Sequence, residues 1–538
     1  MLRDINTPKK KIFHKDLKNK KMIISLALAL LSLIGGFISI LLIRDLIWYL
    51  RSLKYIKQGI PVRYFPVLGY ARYFDNPDKD HCLYYFYQLF KTPRDENQTE
   101  ELILMNGTGA QPTIFLNDKD LVNEFHKKET QVSYMHNLFG FPADNSFSFS
   151  KDPHRVQRDR RIFVELFFPK NLEKNTPQIR AIVQRHLSRV KDEIKRRGTE
   201  VNKEGRKEAE IELKPFIKQI FTEMVSFILF GGEIPEVDGI LVIDQIIAVI
   251  NSFFKNATSP LHMASFGLST KLGLDSEYNQ AHELYQKIMN KIKEVVRERE
   301  NTKGYQFGSN AVDLLILKNR SLKAQGKAGE VMNDDQIAAN IFSIIFGGID
   351  TSRNLTESAL YKLSMEPELQ SRLRETVRNQ VLDTGDGEEY AKYDNSPLLD
   401  AFIKESLRLY SPITFTLHRK VTKNFKVGKY TIYKGDLVTL SLATLQMKPE
   451  LFENPKKFDL GKYEQKKRIK DLSRSALIPF SAGKRECLGK NLADLMIKLI
   501  LCNVLDQFEL RKTDEPNRRD LEFTLGLRHC KLRMSCLQ

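Results

Sequence analysis

The chain has 538 residues, a mass of 62.4 kDa and a formal net charge of +18. Its 42% hydrophobic and 28% charged residues are typical of a globular protein and exclude a disordered chain. The five cysteines form no CxxC pair, which argues against a zinc cluster or disulfide framework and favours a reducing compartment. The positive charge suits nucleic acid, an anionic membrane or an acidic protein, but no nucleic-acid-binding motif is present, so we expect no nucleic-acid partner.

The first predicted element is an uncharged apolar run over residues 22–43, which is long enough to span a bilayer as a helix. Trp48 and Tyr49 follow it, as interfacial aromatic residues do. A cleaved signal peptide and a buried core helix are the alternatives, but the run is long for a signal peptide and no small-residue cleavage site follows it. The sequence therefore predicts a basic tail over residues 1–21 and a transmembrane anchor over 22–43.

A connector is predicted over residues 44–69, because Pro61 and Pro66 fix backbone angles and remove hydrogen-bond donors. The rest, residues 70–538, is predicted to form one catalytic domain in which helical patterns dominate as far as Tyr410. Charged stretches that contain glycine interrupt these patterns and predict surface loops, at 196–212, 319–335 and 384–395. Residues 425–445 alternate in polarity and predict a short strand-rich region with a turn at 434–435.

A buried helix is predicted from about Ile337 onward, because the run is apolar on all faces. Asn333, followed by acidic residues and Gln336, is typical of a helix N-cap. The run ends in FGGIDTS, residues 346–352, where two glycines favour a kink and a threonine hydroxyl can bond the carbonyl one turn back. Tight packing against a neighbour is the alternative reason for the glycines.

Two further patterns are weak when taken alone. ESLR, residues 405–408, places an acid and a base on one helix face, where most such pairs are solvated ion pairs. HRVQRDRRIF, residues 154–163, is a basic helical stretch, and isolated arginines of this kind are usually surface charges.

The most specific pattern is FSAGKRECLG, residues 480–489. Cys487 follows two basic residues and precedes a helical pattern, so nearby positive charge and helix-start amides favour its thiolate. Gly483 and Gly489 permit a tight turn and close approach to a flat ligand. A buried structural cysteine is the ordinary alternative. The full spacing, which also includes Phe480 and Arg485, resembles the haem-thiolate signature of the cytochrome P-450 family.

This resemblance implies roles for the other motifs, which occur in the family's order. Asp350 and Thr351 match the acid–alcohol pair of the oxygen-binding helix. Glu405 and Arg408 match a structural Glu-x-x-Arg element, whose third member here is Lys462 instead of the arginine usual in the family. Lysine lacks the planar guanidinium fork of arginine, so we do not expect Lys462 to reproduce the family's geometry around Glu405.

The resemblance also implies a set of residues for the haem propionates. Arg160 matches the arginine of a Trp-x-x-x-Arg helix, but Val156 stands where the family has tryptophan, so one expected donor is missing. Arg160, Arg419 and Arg485 remain as propionate partners. The cofactor implied is haem b, with its iron bound axially by the Cys487 thiolate.

The implied fold is mainly α with a small β portion, a single large domain behind an N-terminal transmembrane helix. The implied activity is a monooxygenase that inserts one atom of O2 into a hydrophobic small molecule, suggested also by the phenylalanines of residues 138–149, by Phe415 and by Leu525. Electrons would come from an NADPH-dependent flavoprotein reductase or a cytochrome b-type donor, docked on a basic face at Lys484, Arg485 and Lys490.

The expected location is the endoplasmic reticulum membrane, with the catalytic domain in the cytosol beside its reductase and in contact with membrane lipid. The basic tail argues for a cytosolic N-terminus, which conflicts with this orientation. Two rival functions stay open: a haem-thiolate isomerase or dehydratase that needs no reductase, and a non-catalytic haem sensor. The acid–alcohol pair argues against both.

Overall fold

The computed structural model is mostly helical, with a smaller share of strand. It describes residues 38–65, 90–92, 98–106, 111–128, 130–132, 145–198, 200–201, 205–232, 235–258, 268–382, 389–394, 396–463, 477–515, 519–521, 524–527 and 529–537, and also residues 32, 35, 36 and 262. Most of the predicted anchor 22–43 lies outside these residues. In the part of the chain that is described, no helix is both long and apolar enough to cross a membrane.

The helices, numbered in chain order, are α1 (38–56), α2 (Lys119–His126), α3 (Pro153–Leu166), α4 (Pro169–Arg197), α5 (Leu213–Phe230), α6 (Val242–Thr258), α7 (Leu268–Lys271), α8 (Ser276–Asn301), α9 (Ala311–Ala324), α10 (Asp334–Ser364), α11 (Pro367–Val377), α12 (Glu389–Asp394), α13 (Pro397–Leu409), α14 (Leu442–Leu445) and α15 (Lys490–Gln507). Short helical turns of other types lie at Ala328–Glu330, Arg378–Leu382, Leu460–Tyr463 and Gly483–Arg485.

The strands are β1 (Val62–Arg63), β2 (Leu102–Asn106), β3 (Pro112–Leu116), β4 (Thr130–Val132), β5 (Glu200–Val201), β6 (Lys207–Glu212), β7 (Glu236–Val237), β8 (Ile240–Leu241), β9 (Arg419–Val421), β10 (Phe425–Val427), β11 (Tyr430–Ile432), β12 (Leu437–Leu440), β13 (Phe508–Lys512), β14 (Arg519–Leu521), β15 (Leu525–Leu527) and β16 (Lys531–Cys536).

The larger sheet has the order β1-β2-β3-β12-β9-β4, and β12 runs parallel to β3 but antiparallel to β9. A second sheet has the order β13-β16-β6-β5. The remaining described strands form three two-stranded pairs, β10-β11, β14-β15 and β7-β8. The strand-rich region predicted over 425–445 is confirmed as far as residue 440 by β10 to β12, with Gly435 at positive φ in the turn before β12. Its end was wrong, because residues 442–445 form the helix α14.

The main core surrounds α10 and α15, which pack against each other. Every residue of α15 from Leu495 to Leu505 is buried, and α10 is buried over most of its length. Burying each large aliphatic side chain contributes about 1.5–3 kcal/mol. These two helices are therefore the rigid support for the residues at and next to their ends, which include Cys487 just before α15.

The predicted loop over residues 196–212 is wrong in its second half. Residues 207–212 form β6, which pairs with both β5 and β16. The charged side chains of KEAEIE alternate with Ala209 and Ile211, and Ile211 is buried in the main core. Glu208 and Ile211, which point to opposite faces of the strand, are both buried, so a segment rich in charge lies inside the sheet.

The predicted connector 44–69 is described as far as residue 65, and there it holds secondary structure. The helix α1 covers its first part and β1 adds an edge strand to the larger sheet. Trp48 and Tyr55 are buried in a core cluster with residues of that sheet. The Tyr55 hydroxyl donates to Asp436 Oδ2 at 2.6 Å, so α1 is packed on the domain.

Candidate active site

The loop before α15 is held by its own backbone. The Cys487 amide donates to the Phe480 carbonyl at 2.9 Å, and the Glu486 amide donates to the Gly483 carbonyl at 3.0 Å. Gly483 has φ +69°, and a Cβ atom there would lie 3.0 Å from the His126 carbonyl oxygen. Only glycine fits both the left-handed conformation and this close approach. The loop therefore presents Cys487 in one fixed position.

Cys487 sits just outside the N-terminus of α15, whose N-cap is Gly489. Its side chain remains accessible, although burial is the largest influence on the thiol and raises its pKa. The Gly489 amide and the Arg160 guanidinium act in the opposite sense and favour the thiolate. A metal ion bound to this accessible sulfur would hold it deprotonated.

Three arginines from separate elements come together near the thiol. Arg160 of α3 donates to the Glu486 carbonyl at 2.5 Å, and Arg485 donates to the Phe147 carbonyl at 3.1 Å. Arg419 opens β9 and is 8% exposed. Burial, and after it the positive charge of neighbouring arginines, lowers the pKa of Arg419 and of Arg485 to about 10.

None of these three guanidinium groups is paired with a carboxylate anywhere in the described part of the chain. Buried cations are normally paired, so a cluster of unpaired ones requires an anionic ligand. A haem, which carries an iron for the sulfur and two propionates for the arginines, fits this donor set. Val156, where the family has tryptophan, is buried and brings no donor.

The predicted oxygen-binding helix is α10, and its predicted start is confirmed. Asn333 accepts from the Gln336 amide at 2.9 Å and the Gln336 side chain accepts from the Asn333 amide at 3.1 Å, which is a complete capping box. The helix continues without a break through Gly347 and Gly348 to Ser364. A Cβ atom at either glycine would meet nothing within 4 Å, so the glycines leave space beside the helix rather than packing tightly.

The acid–alcohol pair lies at this open stretch. Thr351 donates its hydroxyl hydrogen to the Gly347 carbonyl at 2.7 Å, as its position one turn on predicted. Asp350 Oδ1 accepts from Arg353 at 3.0 Å and the Asp350 side chain is 21% exposed. The hydroxyl and the carboxylate are thus both fixed by bonds within α10.

A buried polar chain joins α10 to the cysteine loop. Asn340 of α10 accepts the Phe147 amide at 2.7 Å and donates to Asp159 of α3 at 3.1 Å. The Phe147 carbonyl accepts from Arg485. One peptide segment therefore connects the two helices that bear the site residues with the loop that presents the thiol. No sequence motif marks Asn340 or Asp159 for this role.

Glu405 is the centre of the structural cluster behind the site. It is fully buried and receives two bonds of 2.8 Å from Arg408, which also donates to three backbone carbonyls around residues 446–457. The Asp459 amide adds a bond of 2.9 Å to Glu405 Oε1. The carboxylate thereby holds α13 against the chain that follows α14.

Lys462 reaches this cluster but does not replace an arginine by itself. Its Nζ atom lies 3.4 Å from Glu405 Oε1 and 3.2 Å from the Lys457 carbonyl, and burial lowers its pKa. The neighbouring Tyr463 completes the set, because its hydroxyl donates to Glu405 Oε2 at 2.8 Å. The sequence prediction missed Tyr463. Because lysine has no second arm to donate to the other oxygen of Glu405, a hydroxyl next to Lys462 was a candidate for that donor.

The predicted basic docking face is only partly present. Lys484 and Lys490 are exposed, and Lys490 lies 3.3 Å from Glu486. Arg485 is instead directed inward at the Phe147 carbonyl, so its assignment to the docking face was wrong. The guanidinium serves the interior of the site.

Residues 138–144 of the stretch 138–149, whose phenylalanines were predicted to favour a hydrophobic substrate, lie outside the described residues. Phe147 and Phe149 are buried in the main core, and the Phe149 ring lies 6.0 Å from that of Phe346, next to the α10 glycines. Phe415 packs edge-on against Phe115 at 5.3 Å, and Leu525 is buried. These positions supply apolar surface around the site.

Comparison with known proteins agrees with this geometry. The family model for cytochrome P450 matches residues 80–534. Cytochrome P450 6A1 of Musca domestica is 29% identical over 57% of this chain, and Leukotriene-B4 omega-hydroxylase 3 of Mus musculus is 33% identical over 40%. The matched segments cover 61% and 40% of those two proteins.

The fold itself has close counterparts among solved structures. The crystal structure of the cytochrome P450DA heme domain superposes with a TM-score of 0.71, covering 89% of this chain and 98% of that one, at 19% identity. An identity this low shows a common fold and no more. With the matched family model and the thiol loop in place, the chain belongs to the cytochrome P450 family, whose members bind haem through a cysteine thiolate.

Proposed function

We propose that this protein is a haem-thiolate monooxygenase that inserts one oxygen atom from O2 into a hydrophobic small molecule. The observation that carries the proposal is the pairing of two features on packed helices. Cys487 precedes α15, and Asp350 and Thr351 lie at the open stretch of α10. A haem-binding sensor would need the first feature but not the second.

Cys487 would be the axial ligand of the haem iron, and Arg160, Arg419 and Arg485 would hold the propionates. When bound, haem supplies the oxygen chemistry, and a thiolate ligand favours cleavage of the O–O bond. The Gly489 amide and Arg160 stabilise negative charge on the sulfur. Phe480, Gly483 and Gly489 fix the loop that aims it.

Thr351 and Asp350 would manage protons in the groove. The Thr351 hydroxyl is held by the Gly347 carbonyl, so its oxygen is free to accept a bond from a water or peroxide. Asp350 is partly exposed and can take up a proton from solvent and release it again. Glu405, Arg408, Lys462 and Tyr463 would act structurally, by keeping the thiol loop and its supporting segments in place.

The electrons would come from an NADPH-dependent flavoprotein reductase, with a cytochrome b-type protein as a second donor. Lys484 and Lys490 offer exposed positive charge next to the thiol loop for an acidic partner. The apolar surface at Phe149, Phe346 and Phe415 favours a hydrophobic substrate. One relative is named for omega-hydroxylation of leukotriene B4, which is a compound of this class.

The location proposed is the endoplasmic reticulum membrane, with a single anchor at residues 22–43 and the catalytic domain in the cytosol. The net charge of +18 suits contact with anionic lipid. Protease added to sealed microsomes should digest the domain. A protected domain, or glycosylation at Asn97, would place it in the lumen and remove access to the reductase.

The activity is tested by turnover with NADPH and a reductase, with leukotriene B4 and a panel of apolar compounds as probes. We expect an oxygenated product that depends on NADPH, and peroxide without product from Thr351→Ala. The reduced CO complex should show the long-wavelength thiolate Soret band, and Cys487→His should lose it. Product formed without NADPH would favour the isomerase or dehydratase, and haem binding without any turnover would favour the sensor.

A further inference from the structure

A ladder of three charged side chains runs along one face of α10. Arg353 Nη2 lies 3.0 Å from Asp350 Oδ1, and Arg353 Nη1 lies 3.2 Å from Glu357 Oε1. The spacings of three and four residues place all three groups on the same face. One guanidinium is therefore shared between the acid of the acid–alcohol pair and a second carboxylate one turn further on.

The far end of the ladder is the buried one. Glu357 has no exposed surface and Arg353 is 6% exposed, whereas Asp350 is 21% exposed at the open stretch. Glu357 Oε2 and Arg353 Nε have no hydrogen-bond partner in the described part of the structure. With both carboxylates ionised, two negative charges share one guanidinium, and the fully buried Glu357 keeps one oxygen without a partner among the described residues, which is unfavourable. A proton on Glu357 removes this cost.

Two groups from other elements face Glu357. Lys214 at the start of α5 favours its ionised form, and Cys530, just before β16, has a thiol pKa that burial and then the Glu357 charge raise. Burial is the largest influence on the pKa of Glu357 and raises it, as does the Asp350 charge, while Arg353 and Lys214 lower it; together these effects raise the pKa to about 7. The carboxyl thus changes its charge near neutral pH.

We propose that Glu357 controls, through the Arg353 guanidinium that both carboxylates share, whether the Asp350 carboxylate is held in its ion pair or released from it. While Glu357 is neutral, Arg353 donates to Asp350 alone. When Glu357 ionises, it competes for Arg353, and the Asp350 carboxylate is freed to take part in proton delivery. Arg353 and Glu357 are positioning residues for proton delivery, and this role in turnover rests on the function proposed above for Asp350.

The coupling is measured directly by infrared difference spectroscopy of the full-length holoprotein in D2O. Subtracting Glu357→Gln spectra from those of the unmodified protein over pH 5–9 should isolate the band of one protonated carboxyl, which disappears with a midpoint near 7. In Asp350→Asn the midpoint should fall by roughly one pH unit, because a nearby like charge is gone. In Arg353→Gln it should rise, since the shared cation is lost.

An unchanged midpoint in Asp350→Asn overturns the proposal, as does the lack of any band that Glu357→Gln removes. The Soret spectrum of each variant confirms that haem is bound. If Asp350→Asn loses haem, the proposal is tested with Arg353→Gln instead. In that variant, a midpoint of the Glu357 band that does not rise contradicts the proposal. Neither readout involves turnover, so failure of the monooxygenase function would leave this result standing.

A second test of the proposal measures peroxide release during turnover with NADPH. Glu357→Gln commits Arg353 to Asp350 at every pH, so the fraction of NADPH electrons released as peroxide should exceed that of the unmodified protein a few-fold at pH 7.5. The two proteins should converge toward pH 6, where Glu357 is itself neutral. The control is Glu366→Gln, at the other i, i+4 pair of this helix end, where Lys362 and Glu366 lie 2.7 Å apart and Glu366 is about half exposed. It should match the unmodified protein. Equal pH profiles for the two variants would show that Glu357 does not control proton delivery.

Discussion

The Tyr463 hydroxyl donates to Glu405 Oε2 at 2.8 Å, on the opposite carboxylate oxygen from the one that Lys462 approaches. The carboxylate is therefore contacted on both oxygens, as an arginine fork would contact it, but by two successive side chains. Burial is the main cause of the strongly raised pKa of Tyr463, so the phenol stays neutral and acts as a donor.

Tyr463→Phe should lower the free energy of unfolding by about 1–3 kcal/mol, since a buried carboxylate loses a donor that water cannot replace. The measurement is urea unfolding of the holoprotein followed by the Soret band. The control is Tyr430→Phe, where the hydroxyl bonds the half-exposed Glu101 at 2.9 Å. That variant should lose well under 1 kcal/mol. Equal losses in the two variants would mean that Tyr463 is not part of the Glu405 cluster.

Arg419→Met should affect protein with and without haem in opposite directions. Without haem, the guanidinium is buried beside two other cations, so its removal should leave stability equal or higher. With haem, one propionate partner is gone, and haem should dissociate on the order of tenfold faster. Thermal unfolding of the apoprotein and haem transfer to apomyoglobin measure the two effects. Lys420→Met, the next residue of β9, is the control, and unchanged haem transfer in Arg419→Met would contradict the assignment.

Glu357 should give the protein a stability that falls as pH rises. Its pKa in the folded protein is about 7 against an ordinary 4.5, so the folded state binds the proton more tightly. The resulting stabilisation is complete below pH 4.5, amounts to roughly 3 kcal/mol, and is lost as pH rises through 7. Melting temperatures of the unmodified protein and Glu357→Gln between pH 5 and 8 test this. The variant should show a flatter profile, and parallel profiles would count against a proton on Glu357.

Shortened chains should separate membrane attachment from folding. A chain that starts at residue 38 keeps α1, whereas one that starts at residue 52 loses Trp48 and its ring contact with Tyr64. Both should leave the membrane fraction at high salt, because the predicted anchor is gone and lipid contact is screened. Only the second should be destabilised, by about 3–5 kcal/mol as for other buried tryptophans. Equal melting temperatures would show that α1 does not support the domain.

The parts of the site that could be predicted from sequence are those whose chemistry is local. The capping box of α10 follows from Asn333 and Gln336, because both bonds close within one turn. The thiol loop is recognisable because its glycine and cysteine spacing is set by its own backbone. Contacts between distant segments leave no such pattern: Asn340 and Phe147 are 193 residues apart, and Glu405 and Tyr463 are 58 apart.

Charged residues also led to two wrong predictions from the sequence. Residues 207–212 are rich in charge and were predicted as a loop, but pairing on both sides satisfies their backbone, and Lys207, Glu210 and Glu212 stay exposed at the surface. Arg485 was predicted to lie both at the docking face and at the haem, and the fold argues against the first position by directing the guanidinium to the Phe147 carbonyl. Its place at the haem stays a prediction.

The bond from Phe147 to Asn340 and the bond to Phe147 from Arg485 both use main-chain atoms of residue 147. Any amino acid with an amide hydrogen could therefore keep this connection between the helix and the thiol loop. Proline alone among the twenty lacks that hydrogen. The side chain at position 147 answers to core packing, since it is buried with its ring 5.3 Å from that of Phe163, whereas the connection beneath it belongs to the main chain and leaves no trace in an alignment of side chains.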